Sequence, residues 1–269
     1  MATAEAQLSW FDSGVNLFCR QFTGIEQHIW QRAQHAGVSG MLLIGSDISE
    51  SQQNQQFCIT HPQCYTTAGV HPHQAGLVTH DWLAQLSQLL TQPSVVAVGE
   101  CGLDFNRDFS PRPAQQQVFA SQLQLAKQQQ KPLYLHERDA FPTQLAMLTE
   151  QHINHGVAHC FTGDTAQLKA YLDLGLYIGI TGWICDERRS QSLQQAIEYL
   201  PLDRLLLETD APYLLPRTIK PRPKYNEPAL LPAIAEHICH LKNISMQQLA
   251  AASVANSHKL FNTGAPYVA

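Results

Sequence analysis

A chain of 269 residues, 44% of them hydrophobic and 14% charged, has the length and apolar content for one large domain with a buried core, which excludes wholesale disorder. Seventeen Lys and Arg against twenty-two Asp and Glu leave a net charge of −5, which excludes a generally basic nucleic-acid coat but not a local basic patch. Seven cysteines, an odd number with no C-x-x-C pair, read as free thiols in a reducing cytoplasm, and neither an export signal nor a membrane span is expected.

Along the chain, eight short aliphatic or β-branched runs are predicted as strands: 9–17, 38–45, 65–71, 95–100, 132–136, 156–161, 177–181 and 204–210. Near-continuous apolar runs such as 94–99 and 205–207 suit parallel strands covered on both faces. Helical spacing fills the intervals. Trp82, Leu86 and Leu89 mark a helix over 81–90, and Phe119, Leu123 and Ala126 mark one over 113–130. Ser49, Asp164 and Asn226 with Pro228 read as helix starts, and further helices close the chain between Ala229 and Phe261. The glutamine-rich stretches 115–117 and 128–130 are expected on exposed helix faces. Eight strand–helix units predict a single-domain (β/α)8 barrel over 9–263, with a short extension at 1–8 and a tail at 264–269; a doubly wound open sheet is the alternative.

In such a barrel the chemistry sits on the rim made by strand C-termini, and the predicted strands deliver His71, Glu100, His136, His159 and Asp210 there. Imidazoles and carboxylates from five strands converging on one rim are what a divalent metal centre requires. Packing alone would demand a separate buried partner for each group. Other chemistries drop out. Gly37-Val-Ser39-Gly40-Met41 misses a nucleophile elbow by its last residue, His136-Glu-Arg-Asp-Ala140 lacks the second histidine of a helical zinc motif, and no glycine-rich phosphate loop occurs.

Five segments carry a more specific signal: Ala68-Gly-Val-His71-Pro-His73, Val98-Gly-Glu100-Cys-Gly-Leu-Asp104, Leu135-His136-Glu-Arg138-Asp139, Ala158-His159-Cys-Phe-Thr-Gly163 and Leu207-Glu-Thr-Asp210-Ala-Pro-Tyr213. In order and content they resemble the TatD family of metal-dependent nucleases, over almost the whole chain from Trp10. The resemblance implies a (β/α)8 barrel of the amidohydrolase-like superfamily. The stretches 11–17 and 179–189 resemble the branch associated with 3′–5′ exonuclease action on single-stranded DNA and RNA.

That resemblance makes Glu100, His136 and His159 ligands of one metal. It also makes Asp210 and shared Glu100 ligands at the first site and catalytic residues, with Asp210 the group that orients or deprotonates the attacking water. One departure stands out: the family's D-x-H-x-H on the first strand reads Asp12-Ser-Gly14-Val-Asn16, so both imidazoles are gone. Asn16 is then a candidate ligand of that first site, and the oxygen-rich set suits Mg²⁺, as one or two ions, with Mn²⁺ or Zn²⁺ as alternatives.

His71, His73 and Arg138 are candidate substrate-binding residues at the rim. Arg217, Lys220, Arg222, Lys224 and Tyr225 offer cations and a ring to a single strand, and Arg188 and Arg189 extend the track. Tyr225 stands where the family commonly carries Arg before Asn-x-Pro. Glu208 shares Asp210's face and reads as a hydrogen-bonded support. The expected enzyme is a monomer acting on single-stranded DNA or RNA, with no membrane partner.

Two other readings stay open. One is a metal-dependent amidohydrolase of a small cyclic amide or base, against which stands the absence of a bridging lysine: the fourth strand ends in Glu100, and Lys127 and Lys131 belong to the next unit. The other is a catalytically silent metal-binding barrel.

Overall fold

The computed structural model describes residues 8–263; the expected tail 264–269, and all but the last residue of the expected extension 1–8, lie outside the described residues. Eight strands follow one another around a single parallel sheet: β1 (Trp10–Val15), β2 (Val38–Leu43), β3 (Cys64–Ala68), β4 (Val95–Asp104), β5 (Leu133–Arg138), β6 (Gly156–Ala158), β7 (Tyr177–Ile180) and β8 (Leu205–Leu207). The ring closes between its first and last strands just beyond β8. There Val15 bridges Ala211, the Asn16 amide donates to the Ala211 carbonyl at 2.8 Å, and the Asp210 amide donates to the Gly14 carbonyl at 2.9 Å. Asp12 latches the same seam, its carboxylate accepting from the Thr209 amide at 2.9 Å and hydroxyl at 2.6 Å. The (β/α)8 barrel expected from the strand–helix rhythm is the fold, and the open sheet is not.

Around the strands lie α1 (Glu26–His35), α2 (Ile48–Thr60), α3 (Trp82–Leu89), α4 (Arg112–Gln129), α5 (Phe141–Glu150), α6 (Thr165–Asp173), α7 (Gln191–Ile197), α8 (Leu231–Lys242) and α9 (Met246–Phe261). The unbroken apolar runs have a simple origin. Met41 and Leu43 pack outward in the main core, whereas Leu42 and Ile44 join Phe11, Val96, Tyr134, Val157 and Leu206 inside the barrel. Alternate residues of each strand thus meet helices and lumen, so both sets must be apolar. Leu260 and Phe261 of α9 enter the same inner cluster beside Phe11 and plug the end where the strands begin. Among the described residues no helix is long and apolar enough to cross a membrane, and all seven cysteines are unpaired.

Several local expectations are corrected. Helix α2 is capped by Asp47, whose carboxylate accepts from the Glu50 amide at 2.8 Å, and not by Ser49. Asp164 does cap α6, in a reciprocal box with Gln167. Asn226 starts no helix: its amide donates to the Thr209 and Tyr213 carbonyls at 2.8 and 2.7 Å, and ties the loop after β8 to the seam.

Gln115 is buried, not exposed. Its Oε1 accepts from the Asp104 amide at 2.9 Å, and its Nε2 donates to the Asp104 and Ser110 carbonyls at 3.0 and 2.9 Å. Gln122 clasps both backbone groups of Val70 and Gln144 accepts from the Leu103 amide. The ladder stops at the rim, and these buried amides satisfy the peptide groups it leaves there.

Strand β4 runs four residues beyond its expected end. Gly102 pairs with His136 at φ 144°, and a side chain there would collide with the His136 carbonyl. Strands β3 and β8 stop three residues short of His71 and Asp210, which stand on the loops above them.

Candidate metal centre and cleft

Above the rim lies a cleft of about 580 Å³, and Asn16, His71, His73, Glu100, Arg138, His136, His159 and Asp210 all line it. Glu100 is the hub. Its Oε1 lies 2.9 Å from His136 Nδ1, 3.5 Å from His71 Nε2 and 3.8 Å from His159 Nε2. His159 Nε2 is 3.9 Å from Asp210 Oδ1, which in turn accepts from Asn16 Nδ2 at 2.8 Å. The ladder explains how these groups meet: Glu100 rises from mid-β4, His136 lies on its partner β5, His159 follows β6, and Asp210 follows β8. Asp210 has φ 53°, a left-handed turn that aspartate tolerates and that sits where the chain leaves the seam.

Hydrogen bonds fix which nitrogen each histidine presents. His159 Nδ1 lies 2.8 Å from Glu208 Oε2, so Nδ1 carries a proton, and Nε2 faces Glu100 and Asp210. Glu208 is wholly buried and also accepts from the Cys160 amide at 2.9 Å. His71 has the opposite polarity. Its Nδ1 accepts from the His73 amide at 3.1 Å, so Nε2 carries the hydrogen and is a donor rather than a metal ligand. His73 Nε2 lies 2.6 Å from Asp104 Oδ2, and the Asp104 carboxylate also accepts from the Asn106 and Arg107 amides.

The titration behaviour describes a site rich in negative charge. Burial works against it, yet Asp104 and Glu100 raise His136 to about 9, and Glu208 and Glu100 raise His159 to about 10. Burial also opposes ionisation of Glu100, but His71, His136 and His159 hold its carboxyl well below the usual carboxylate range. Burial lifts Asp210 to about 7, with His159 pulling the other way, and lowers His71 to about 3 against the pull of Glu100. Burial, with Asp210 nearby, keeps Cys160 a thiol well above the ordinary range.

These residues fit a divalent cation. His159 Nε2 lies within twice a metal–ligand bond of about 2.1 Å from Glu100 Oε1 and from Asp210 Oδ1. Among the described residues His71, Glu100 and His136 form one group of donor atoms within 4.8 Å of one another, and His159, Cys160 and Asp210 another. His136 Nε2 is buried and has no hydrogen-bond partner, its 3.5 Å approach to Asp104 lacking the geometry.

The first-strand departure has a spatial counterpart. Where a side chain at Gly14 would project stands the Tyr134 hydroxyl, which donates to the Ser13 carbonyl at 2.9 Å and lies 2.7 Å from His159 Nδ1.

The cationic loop goes elsewhere. Lys220, Arg222 and Lys224 are exposed and do not line the cleft, and Tyr225 packs partly on the core under the Lys224 ammonium. Arg217 lies 3.8 Å from Asp186. The cleft is instead lined by Arg20, Arg107 and Arg138, none of which pairs with a carboxylate among the described residues. Sequence reading missed Arg20 and Arg107, single cations on loops between strands with no neighbouring motif. It also passed over Asp104, Tyr134 and Cys160, although Asp104 and Cys160 lie within the quoted motifs.

Comparison with known proteins agrees with this geometry. A family model described as TatD related DNase matches residues 11–262. The chain is 47% identical over 255 residues to the 3′-5′ ssDNA/RNA exonuclease TatD of Citrobacter rodentium, covering 93% of this chain and 97% of that one. The protein of the same name from Salmonella typhimurium is 46% identical over 255 residues, with 93% and 98% covered. Among solved structures, YJJV, a TatD homologue from Escherichia coli K12, superposes with a TM-score of 0.87 at 31% identity over 94% of this chain and 98% of that chain.

Proposed function

We propose, from the premise that the chain belongs to the TatD-related DNase family, that it is a Mg²⁺-dependent 3′–5′ exonuclease of single-stranded DNA and RNA. The observation that carries this reading is the convergence of Glu100, His136, His159 and Asp210 in one cleft whose mouth holds three arginines without carboxylate partners. The exonuclease names of relatives 46–47% identical support it.

Glu100, His136, His159 and Asp210 would hold the ion, with the Asn16 amide beside Asp210. When bound, a divalent cation supplies Lewis acidity, neutralising phosphate charge and making a nearby water easier to deprotonate. The chain's own groups do the rest. Asp210, oriented by Asn16, takes the proton of the attacking water as the new P–O bond forms, and the bond to the 3′ oxygen breaks with that oxygen taking a proton from solvent to become the new 3′ hydroxyl. His71, a neutral Nε2–H donor, stabilises the charge on a non-bridging phosphate oxygen. Arg20, Arg107 and Arg138 fix the phosphates in place. The oxygen donors of Glu100, Asp210 and Asn16 support Mg²⁺, with Mn²⁺ as the nearest substitute.

We assign the hydrolase domain to 9–263. We propose that it acts as a monomer, and seven unpaired thiols suit a reducing cytoplasm. The test is degradation of a 5′-labelled single-stranded oligonucleotide with Mg²⁺, alongside EDTA and folded Glu100→Ala controls. A ladder shortening from the 3′ end and lost in both controls is expected. Absence of cleavage with Mg²⁺ or Mn²⁺ from folded protein would overturn the reading.

A further inference from the structure

A polymer whose 3′ end occupies the cleft must leave it somewhere, and two depressions adjoin the cleft. One, of about 410 Å³, shares only Gln74 with it, runs past Leu77 and Trp82, and has no cation in its lining but does have Asp47. The other, of about 440 Å³, shares Glu137, Arg138, Thr162 and Trp183 with the cleft. The second depression holds Arg138 beside Glu137 and Asp139, and of the two it alone shares a cation and an aromatic ring with the cleft, which a phosphodiester strand can use.

Trp183 is the hinge of the second exit. The Arg189 and Arg138 guanidiniums stand over its indole at 4.2 and 5.3 Å. Beyond it, three guanidiniums gather on one carboxylate. Arg188 forks onto Asp186 through Nε and Nη2, both at 3.0 Å, Arg189 Nε reaches Asp186 at 3.0 Å, and Arg217 Nε lies 3.8 Å away. Arg188, with Arg189, holds the Asp186 carboxyl well below the usual range, so one carboxylate organises three guanidiniums. The three arginine side chains are 62%, 53% and 42% exposed, so their remaining donors face outward. A carboxylate that fixes several guanidiniums pre-organises them, which lowers the entropy cost of gripping a phosphate.

We infer that Trp183, Arg138 and the arginine cluster on Asp186 form an outer track that binds the nucleotides 5′ of the one being removed. The inference rests on the exonuclease reading and adds where the rest of the strand lies. It also gives Arg217, Arg188 and Arg189 a role that Lys220, Arg222 and Lys224 do not share.

The test compares kcat/KM for a 12-mer with that for a dinucleotide, with Mg²⁺, in the wild type, Arg188→Gln/Arg189→Gln and Trp183→Phe. The glutamines keep donors for Asp186, and melting temperature confirms folding. The 12-mer-to-dinucleotide ratio should fall about tenfold in each variant. Fluorescence anisotropy of a labelled 12-mer in EDTA reads binding without cleavage. There the arginine variant should lower the slope of log K against log salt by about 1.4, for two lost phosphate contacts on a single strand. An unchanged ratio and slope with cleavage intact would overturn the track and leave the exonuclease reading standing. Loss of binding on Lys220→Ala/Lys224→Ala, with none on the arginine variant, would overturn it equally. Salt-sensitive binding that needs Arg188 and Arg189 in a protein that cleaves nothing would support the track and refute the nuclease.

Discussion

Glu208→Gln separates charge from shape at the centre of the site. The carboxylate is wholly buried; Oε2 accepts from His159 Nδ1 at 2.8 Å and from the Cys160 amide at 2.9 Å, while Oε1 faces the Tyr134 hydroxyl at 3.3 Å. A glutamine with its oxygen in the Oε2 position keeps both acceptor bonds, and its amide nitrogen can donate to the Tyr134 oxygen. Folding stability should therefore change by no more than about 1 kcal/mol, within the range of a single net hydrogen bond. What disappears is the negative charge behind His159, which makes Nε2 a more basic donor.

Outer carboxylates of this kind are worth about 10–100-fold in metal affinity, or about 1.4–2.7 kcal/mol. Isothermal titration with Mn²⁺, run beside a urea melt, should show that weakening with the unfolding midpoint nearly unmoved. Glu208→Ala is the contrasting case. It strands the His159 and Cys160 donors in the core, at about 1–3 kcal/mol each, so it should weaken both metal binding and the fold. Unaltered Mn²⁺ affinity in a folded Glu208→Gln protein would refute the claim that Glu208 tunes His159.

Gly179 leaves room for that carboxylate, since a Cβ there would overlap Glu208; Gly179→Ala should cost about 1–3 kcal/mol in a urea melt and weaken Mn²⁺ binding together. Gln115→Ala removes three buried hydrogen bonds at the end of β4 and should destabilise the barrel by about 2–4 kcal/mol, read by chemical denaturation; a change under about 0.5 kcal/mol would show that water replaces the amide without penalty. Mg²⁺ at about a hundred times its dissociation constant should add about 2.7 kcal/mol to wild-type stability and little to Glu100→Ala, by thermal melts with and without EDTA.

Strand order, and the meeting of the acidic and imidazole side chains in one cleft, were legible because apolar runs in a barrel give way to polar residues near the rim. An apolar run that stops at Glu100, His136 or His159 announces both the strand and the chemistry. The buried glutamines were not legible. Gln115 and Gln122 lie on the same helix as the exposed Gln117, and nothing in the residue type says which amide meets a strand end. Charge clustering in sequence misled in a similar way. Lys220, Arg222 and Lys224 are neighbours along the chain and splay into solvent, whereas Arg20, Arg107 and Arg138 are far apart in sequence and share one cleft. Tyr134 was hidden for a third reason: its ring belongs to the alternating core of β5, where it packs against the His159 ring while its hydroxyl meets Nδ1.

That hydroxyl changes how the missing first-strand imidazoles are understood. Gly14 is not an emptied ligand position, because the volume a side chain would use there holds the Tyr134 oxygen. The oxygen is engaged by the Ser13 carbonyl and by the His159–Glu208 pair, so a histidine at 14 would have to break the contacts that orient His159. Gly14 and Gly179 therefore act together, one leaving space for the Tyr134 hydroxyl and the other for the Glu208 carboxylate, both of which meet the Nδ1 of the same imidazole. On this reading, what the first strand gives up as direct ligation is spent on positioning. The first strand brings no imidazole to the rim, and His159, which faces both Glu100 and Asp210, is held at Nδ1 by Tyr134 and Glu208.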